Sequence, residues 1–137
     1  MHFLLESFFV GFYSVILYEI LKPFLSETTV LFFCIGFFKH LFGYLLSLHT
    51  QYCNYGDACK RTTHDYITNT SFTTIIVESI LEGFVFVILD SLFLSIFWKM
   101  GVRVPEISIF VTGYVLHVSY EYLGLHDSFC KTRCKRI

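Results

Sequence analysis

Long apolar runs alternate with polar segments along the chain, and they predict its helices. The runs cover residues 3–21, 30–48, 72–98 and 104–125. A helix of about 20 residues crosses the roughly 30 Å hydrocarbon core of a bilayer, so each run is long enough for a transmembrane helix. Short connections follow the first and third runs, which makes sequential helices antiparallel neighbours. The pattern therefore predicts an all-α fold, an antiparallel four-helix bundle integral to a membrane, in a single domain.

Two polar segments lie outside the predicted helices. They are the loop 49–71 and the basic tail 126–137. Four crossings bring both segments and the N-terminus to one face of the membrane, here called the near side. The short connections 22–29 and 99–103 lie on the opposite face, the far side. The sequence thus predicts a small cysteine-containing extramembrane cap, made of the loop and the tail on the near side.

Composition supports lipid as the solvent of the apolar runs. Hydrophobic residues make up 55% of the chain and charged residues 15%, against roughly 25% charged residues in soluble domains. A soluble chain of this size has too small an interior to bury 17 Phe and 9 Tyr. The net charge is −1 and there is no basic domain, which argues against nucleic acid as a partner. We expect the partners to be the lipid bilayer and other membrane or assembly proteins.

Four cysteines fall in the two polar segments, where four crossings bring them to the same side. They are Cys53, Cys59, Cys130 and Cys134. In an oxidising compartment they would form two disulfides, with three possible pairings. In the cytosol four thiolates would suit a zinc ion, but the Cys-x5-Cys and Cys-x3-Cys spacings fit zinc ribbons poorly. Unpaired thiols are the third interpretation, and we expect disulfides.

The side of the membrane that carries the cap is not settled by charge. Lys and Arg are more frequent on the near side, which favours a cytosolic near side. The near-side residues are Lys60, Arg61, Lys131, Arg133, Lys135 and Arg136, and the far-side residues are Lys22, Lys99 and Arg103. The cysteine pairs favour the opposite orientation, because disulfides persist in oxidising compartments. Both orientations remain open at this point.

Ionisable residues within the apolar runs form a polar seam. Such groups are rare at membrane depth, cost roughly 3 kcal/mol or more each, and usually face the interior of a bundle. Helical spacing aligns them on one face of each predicted helix, in the half of the membrane nearest the cap. The predicted cluster is Glu6, Lys39, His40, Glu78, Glu82, His117 and Glu121. Glu19 and Asp90 fall in the far half, where we expect them to be interfacial.

Packing is the first interpretation of this cluster. Lys39 then pairs with Glu78 or Glu82, His117 hydrogen-bonds a neighbour, and the remaining carboxyl groups are protonated.

A proton or cation site is the second interpretation. Facing helices supply carboxylates and imidazoles in known metal sites of bundles. If a metal ion is bound, its candidate ligands are Glu78, Glu82, His117 and Glu121. Haem held by His40 and His117 is a further variant. We expect no cofactor other than such a metal ion.

The predicted function follows from size and missing motifs. The chain has no phosphate-binding glycine loop, no Gly-x-Ser-x-Gly elbow and no potassium-filter sequence. We therefore expect a non-enzymatic structural or assembly role for a multi-pass protein. A single alanine, Ala58, among many Phe and Tyr indicates an AT-rich genome, such as that of a large DNA virus, a protist or a small bacterium. We expect a viral (virion) or organellar membrane. The alternative is a proton or cation transporter, or a membrane metalloenzyme, that uses the Glu/His cluster.

Overall fold

Helices make up most of the chain. The computed structural model describes residues 3–59, 66–68 and 70–136. Within these residues there are six helices and two three-residue strands: α1 (Phe3–Leu21), α2 (Thr28–Leu45), α3 (Leu48–Tyr55), β1 (Tyr66–Thr68), α4 (Phe72–Lys99), α5 (Pro105–Tyr122), α6 (Leu125–Thr132) and β2 (Cys134–Arg136). The predicted helical class is confirmed.

Local capping explains where the long helices begin. The carboxylate of Glu27 accepts hydrogen bonds from the backbone N–H groups of Thr29 and Val30, at 3.1 and 2.6 Å, so α2 begins earlier than its apolar run. The hydroxyl of Ser71 accepts from the N–H of Thr74 at 3.3 Å and caps α4. Pro105 occupies the first turn of α5, where a missing N–H costs nothing.

Two helices end before the apolar pattern does. Ser47 adopts a left-handed conformation with φ of 60°, which ends α2 and starts α3 in a new direction. Gly124, with φ of 74°, separates α5 from α6 in the same way, because glycine adopts this conformation without steric cost. The predicted runs 30–48 and 104–125 therefore each extend across a break that hydrophobicity does not reveal.

Helix α1 packs against α5 in antiparallel orientation. Glu6 in the first turn of α1 lies beside His117 near the end of α5, whereas Lys22, just after α1, lies beside Glu106 at the start of α5. Between these ends, a Cβ placed on Gly113 would collide with the hydroxyl of Ser14. The two backbones approach closely because no side chain separates them at this point.

Helix α2 packs against α4, also in antiparallel orientation. A Cβ on Gly36 would lie 2.6 Å from the carbonyl oxygen of Glu82 and 2.7 Å from the Cβ of Phe86. The two antiparallel pairs meet through contacts of α1 with α2 and of α4 with α5. Each of the four long helices thus contacts two others, and their shared core is Leu17, Leu31, Phe32, Ile35, Phe86, Ile109 and Leu116.

The outer surface of the long helices is strongly apolar. Among its exposed side chains are Leu5, Phe9, Ile16, Phe84, Ile88 and Leu92. Three helices, α1, α2 and α4, are long and apolar enough to cross a membrane. Helix α5 is of similar length but includes Glu106, His117 and Glu121, and it is not among these three.

The described parts of the two polar segments, 49–59, 66–68 and 126–136, contain regular structure where the sequence predicted a loop and a tail. Helix α3 occupies the first part of 49–71, and β1 pairs with β2 of the tail in antiparallel register, Thr68 opposite Cys134. The side chain of Asn54 is buried and exchanges hydrogen bonds with the backbone of Tyr66, at 3.0 and 3.1 Å. These contacts fix β1 against α3. Elements α3, β1, α6 and β2 form the cap.

Candidate functional site

The cap is cross-linked to itself by its four cysteines. Cys53 lies at disulfide distance from Cys134, and Cys59 from Cys130, with Cα atoms 5.6 and 5.2 Å apart. This is one of the three pairings that the sequence allows, and it joins the segment after α2 to the tail twice. The sulfur atoms lie in two bonded pairs and do not form the tetrahedral set that zinc requires. Cys34 in α2 is the free cysteine among the described residues.

Beneath the cap, ionisable side chains of the four long helices, of α6 and of the tail form what we call the near-side polar layer. It contains the seven residues predicted from helical spacing and three more. Its members are Glu6, Lys39, His40, Glu78, Glu82, His117, Glu121, Tyr120, His126 and Arg133. The structure does not gather them around one centre. It distributes them over four separate contacts.

The first contact joins α2, α4 and α5. The ammonium of Lys39 forms an ion pair with Oε1 of Glu82, and the hydroxyl of Tyr120 donates to Oε2 of the same carboxylate at 2.7 Å. The Lys39 and Glu82 side chains are only 12% and 8% exposed. A buried carboxylate is tolerated when a cation and a hydrogen-bond donor both reach it. Of the two acids considered for Lys39, Glu82 is its partner.

A second contact joins α4 to α2 and to the tail. Arg133 donates from Nη2 to Oε1 of Glu78 at 2.6 Å, and Nε2 of His40 lies 3.2 Å from Oε2 of the same carboxylate. The carboxylate therefore bridges α2 and the tail. Arg133 supplies a second fixed cation to the layer, where the sequence indicated only Lys39.

A third contact joins α1, α5 and the cap. Nε2 of His117 lies 3.3 Å from Oε2 of Glu6, and the backbone N–H of Asp57 donates to Oε1 of Glu6 at 2.6 Å. Glu6 is 6% exposed. Its carboxylate thus connects the beginning of the first helix to the segment that carries Cys59.

The fourth contact joins α5 to α6. Nδ1 of His126 lies 3.0 Å from Oε2 of Glu121, and the rings of His126 and His117 are 4.3 Å apart. Burial lowers the pKa of His126, and His117 acts in the same direction, while Glu121 opposes them. Tyr52 of α3 covers the pair, with its ring 5.3 Å from that of His126.

A second cap histidine, His49, lies over the end of α2. Its ring is 5.0 Å from that of His40 and 5.7 Å from that of Phe129. Burial, followed by the neighbouring His40, lowers the pKa of His49 to about 4. The imidazole is therefore neutral at physiological pH and acts as a packing group.

The candidate metal ligands are distributed over different contacts. Within residues 3–59, 66–68 and 70–136 no group of three or more His, Cys, Asp or Glu side chains is positioned to hold a metal ion. Of the four candidate ligands, Glu78 and Glu82 contact cations, Glu121 contacts His126, and His117 contacts Glu6. His40 and His117, the pair considered for haem, belong to different contacts.

Asp90 is an acid of α4 that the sequence predicted to be interfacial, and the structure buries it instead. Its side chain is fully buried between α4 and α5. The hydroxyls of Ser108 and Thr112 donate to its Oδ1 at 2.5 and 3.0 Å. Helical spacing cannot detect this site, because the two donors lie on another helix. Glu19, in contrast, is exposed and lies 2.5 Å from Lys22.

Three members of the polar layer were missed from the sequence as partners. Arg133 and His126 lie in the tail, which composition alone describes as basic and solvated. Tyr120 lies at the edge of the polar stripe of α5, where a tyrosine is equally typical of packing. Lys60 and Arg61 of the near-side charge count lie outside the described residues.

Comparison with known proteins gives no family. No protein-family model matches the chain, and neither the curated proteins nor the solved structures contain a significant match.

Proposed function

We propose that the chain is a multi-pass membrane protein with a structural or assembly role, not an enzyme. In this proposal α1, α2, α4 and α5 cross the bilayer as an antiparallel bundle, and the cap lies on one face. The exposed apolar side chains of α1, α2 and α4 support lipid as their solvent. Helix α5 is the fourth span because it is the antiparallel partner of α1, and its His117 and Glu121 turn toward the polar layer.

The single observation that carries the structural role is the pairing within the polar layer. Glu6, Glu78, Glu82 and Glu121 each contact a basic or imidazole group of another helix or of the tail. Each acid joins two or three elements of the chain, which is the arrangement that a scaffold needs. Paired acids and imidazoles also occur in proton pathways, and the reconstitution described below separates the two roles.

The disulfides support a near side that faces an oxidising compartment. The competing charge rule favours the opposite orientation by a modest margin, six Lys and Arg on the near side against three on the far side. A lumenal, periplasmic or virion-surface cap with cytosolic short connections follows from the disulfides. The viral or organellar origin indicated by composition stays a prediction.

Thiol labelling tests the topology. In a Cys34→Ser background, an impermeant maleimide should not label sealed vesicles of either orientation until a reductant is added. After reduction it should label only vesicles with the cap outward. Labelling without reductant, or from the opposite side, would overturn the proposed orientation. Recovery of the protein in the aqueous phase without detergent would overturn the membrane assignment.

Reconstitution separates the structural role from transport. Vesicles containing the protein and an internal pH dye should leak protons no faster than empty vesicles under an imposed pH gradient. Glu82→Gln and Glu121→Gln should leave that rate unchanged. A gradient-dependent flux that the wild type supports and Glu82→Gln abolishes would replace the structural role by proton transport; potassium and sodium gradients extend the test to cations.

A further inference from the structure

An open groove lies between α2 and α4 on the far side, away from the cap. Its volume is about 400 Å³, which lies within the range of roughly 300–1,000 Å³ typical of small-molecule sites. Buried Phe32 and half-buried Leu94 provide apolar surface, and exposed Ser91 and Ser95 lie along α4. Trp98, at the end of α4, also lines the groove, together with Thr28 and Lys99. Its chemistry thus changes from apolar to cationic along the helix.

Two cations at this end of the molecule, Lys99 and Arg103, have no acidic partner within the described residues. Lys99 lines the groove, and the guanidinium of Arg103 lies over the Trp98 ring, 4.2 Å from its centroid. Lys22, on the same side, is instead paired with Glu19. The nearest acid along the chain to Thr28 is Glu27, whose two carboxylate oxygens accept from backbone N–H groups. An anion is therefore the complementary ligand.

The groove also contains polar groups suited to the oxygen-rich part of a lipid. Elsewhere in the long helices, serine hydroxyls bond to their own helix: those of Ser7 and Ser79 donate to the carbonyl four residues earlier, each at 2.7 Å. Those of Ser91 and Ser95 form no such bond in the part of the chain that the structure describes, although they lie on a helix proposed to face lipid. Ester or phosphate oxygens would accept from them.

We propose that this groove binds an anionic glycerophospholipid. Its phosphate lies at Lys99 and Arg103, its ester region at Ser91 and Ser95, and one acyl chain on Phe32 and Leu94. The site rests on the membrane insertion proposed above. That topology places the far side toward the cytosol, whose leaflet carries the anionic lipids of cell membranes. Trp98 adds the amphipathic ring that is enriched at the membrane interface.

Trp98 makes the test direct, because it is the only tryptophan of the chain. The oxidised full-length protein is reconstituted in phosphatidylcholine vesicles containing one tenth brominated lipid, either phosphatidylglycerol or phosphatidylcholine with the same acyl chains. Fluorescence is normalised to each variant in unbrominated vesicles of matching headgroup composition. We expect brominated phosphatidylglycerol to quench Trp98 more strongly, since each basic residue favours an anionic headgroup by roughly five-fold.

Two sets of variants separate the headgroup contact from the groove. Lys99→Gln with Arg103→Gln should remove the extra quenching, whereas Lys99→Arg with Arg103→Lys should keep it. Ser95→Leu fills the groove and keeps both cations, so it should also reduce the extra quenching. Ser95→Ala, the matched control, leaves the space open and should retain most of it.

Every other outcome contradicts the proposed lipid site. Equal quenching by the two brominated lipids means that no anionic lipid is selected. Extra quenching that survives Lys99→Gln with Arg103→Gln, or that Ser95→Leu does not change, means general attraction to the charged surface without a groove site. No quenching by either brominated lipid means that Trp98 does not meet acyl chains, and the membrane insertion itself then fails.

Discussion

Replacing Cys59 and Cys130 by serine removes the inner of two nested cross-links and leaves the outer one, Cys53–Cys134, in place. The sequence separations are 81 residues for the outer bond and 71 for the inner one. When either bond is present, the other closes only a small additional ring of about 10 residues, since 81 − 71 = 10. The loss of one bond should therefore be much milder than the loss of both.

Loop-closure entropy gives the magnitudes. A single cross-link over 81 residues restricts the unfolded chain by about 4.5 kcal/mol, and a ring of about 10 residues adds about 2.7 kcal/mol. Each single removal should then cost about 3 kcal/mol and the double removal about 7 kcal/mol. The double cost exceeds the sum of the single costs, because removing the second bond releases the long loop. Helices that persist in the unfolded state reduce the cost of the single removal and that of the double removal, but the double removal stays the more costly of the two.

Equilibrium unfolding of four proteins checks this prediction. The wild type, Cys53→Ser with Cys134→Ser, Cys59→Ser with Cys130→Ser, and the quadruple serine variant are titrated with dodecyl sulfate from mild detergent micelles, and helicity is followed by circular dichroism. All are prepared in the Cys34→Ser background to prevent exchange. Equal costs for a single and the quadruple variant, or strictly additive costs, would contradict the nested-loop reasoning.

Three further outcomes are expected. Gly36→Leu should destabilise the protein by about 1–3 kcal/mol or more in the same titration, because its side chain would collide with the α4 backbone at Glu82; Gly43→Ala, which meets only the His49 side chain, should cost less. Lys39→Met and Glu82→Met should each cost about 3–5 kcal/mol by leaving a buried charge unpaired, whereas the double variant should regain most of that loss; a double-variant cost equal to the sum of the two single costs would show that the pair contributes no coupling. Lowering the pH from about 6.5 to about 4 should destabilise the cap by about 2–3 kcal/mol through His49, because the unfolded state binds the proton first when the folded pKa is about 4; a pH profile unchanged in His49→Phe would refute this assignment.

Hydrophobic pattern and helical spacing predict part of this molecule well. The first run and α1 share the bounds 3–21, and spacing places Glu78 and Glu82 on one face of α4. Spacing cannot assign their partners. Lys39 pairs with Glu82 while Arg133 from the tail occupies Glu78, and that choice depends on how the cap folds over the helix ends.

Contacts between distant segments account for what the sequence does not reveal. The cysteine pairing depends on the antiparallel register of β1 and β2, two strands of three residues each. The breaks at Ser47 and Gly124 occur inside apolar stretches, so hydrophobicity runs through them. The burial of Asp90 depends on hydroxyls from α5. In each case the decisive partner lies far away along the chain.

The cross-linked cap has a consequence for biogenesis. Cys130 and Cys134 follow α5 in the chain, whereas Cys53 and Cys59 precede α4. In the proposed topology, a chain whose α5, the least apolar of the long helices, fails to insert keeps its tail on the opposite face, and the thiols of the tail never meet their partners. The two disulfides would then form only in chains that have completed every crossing. Misinserted chains would keep free thiols, which a quality-control system could recognise.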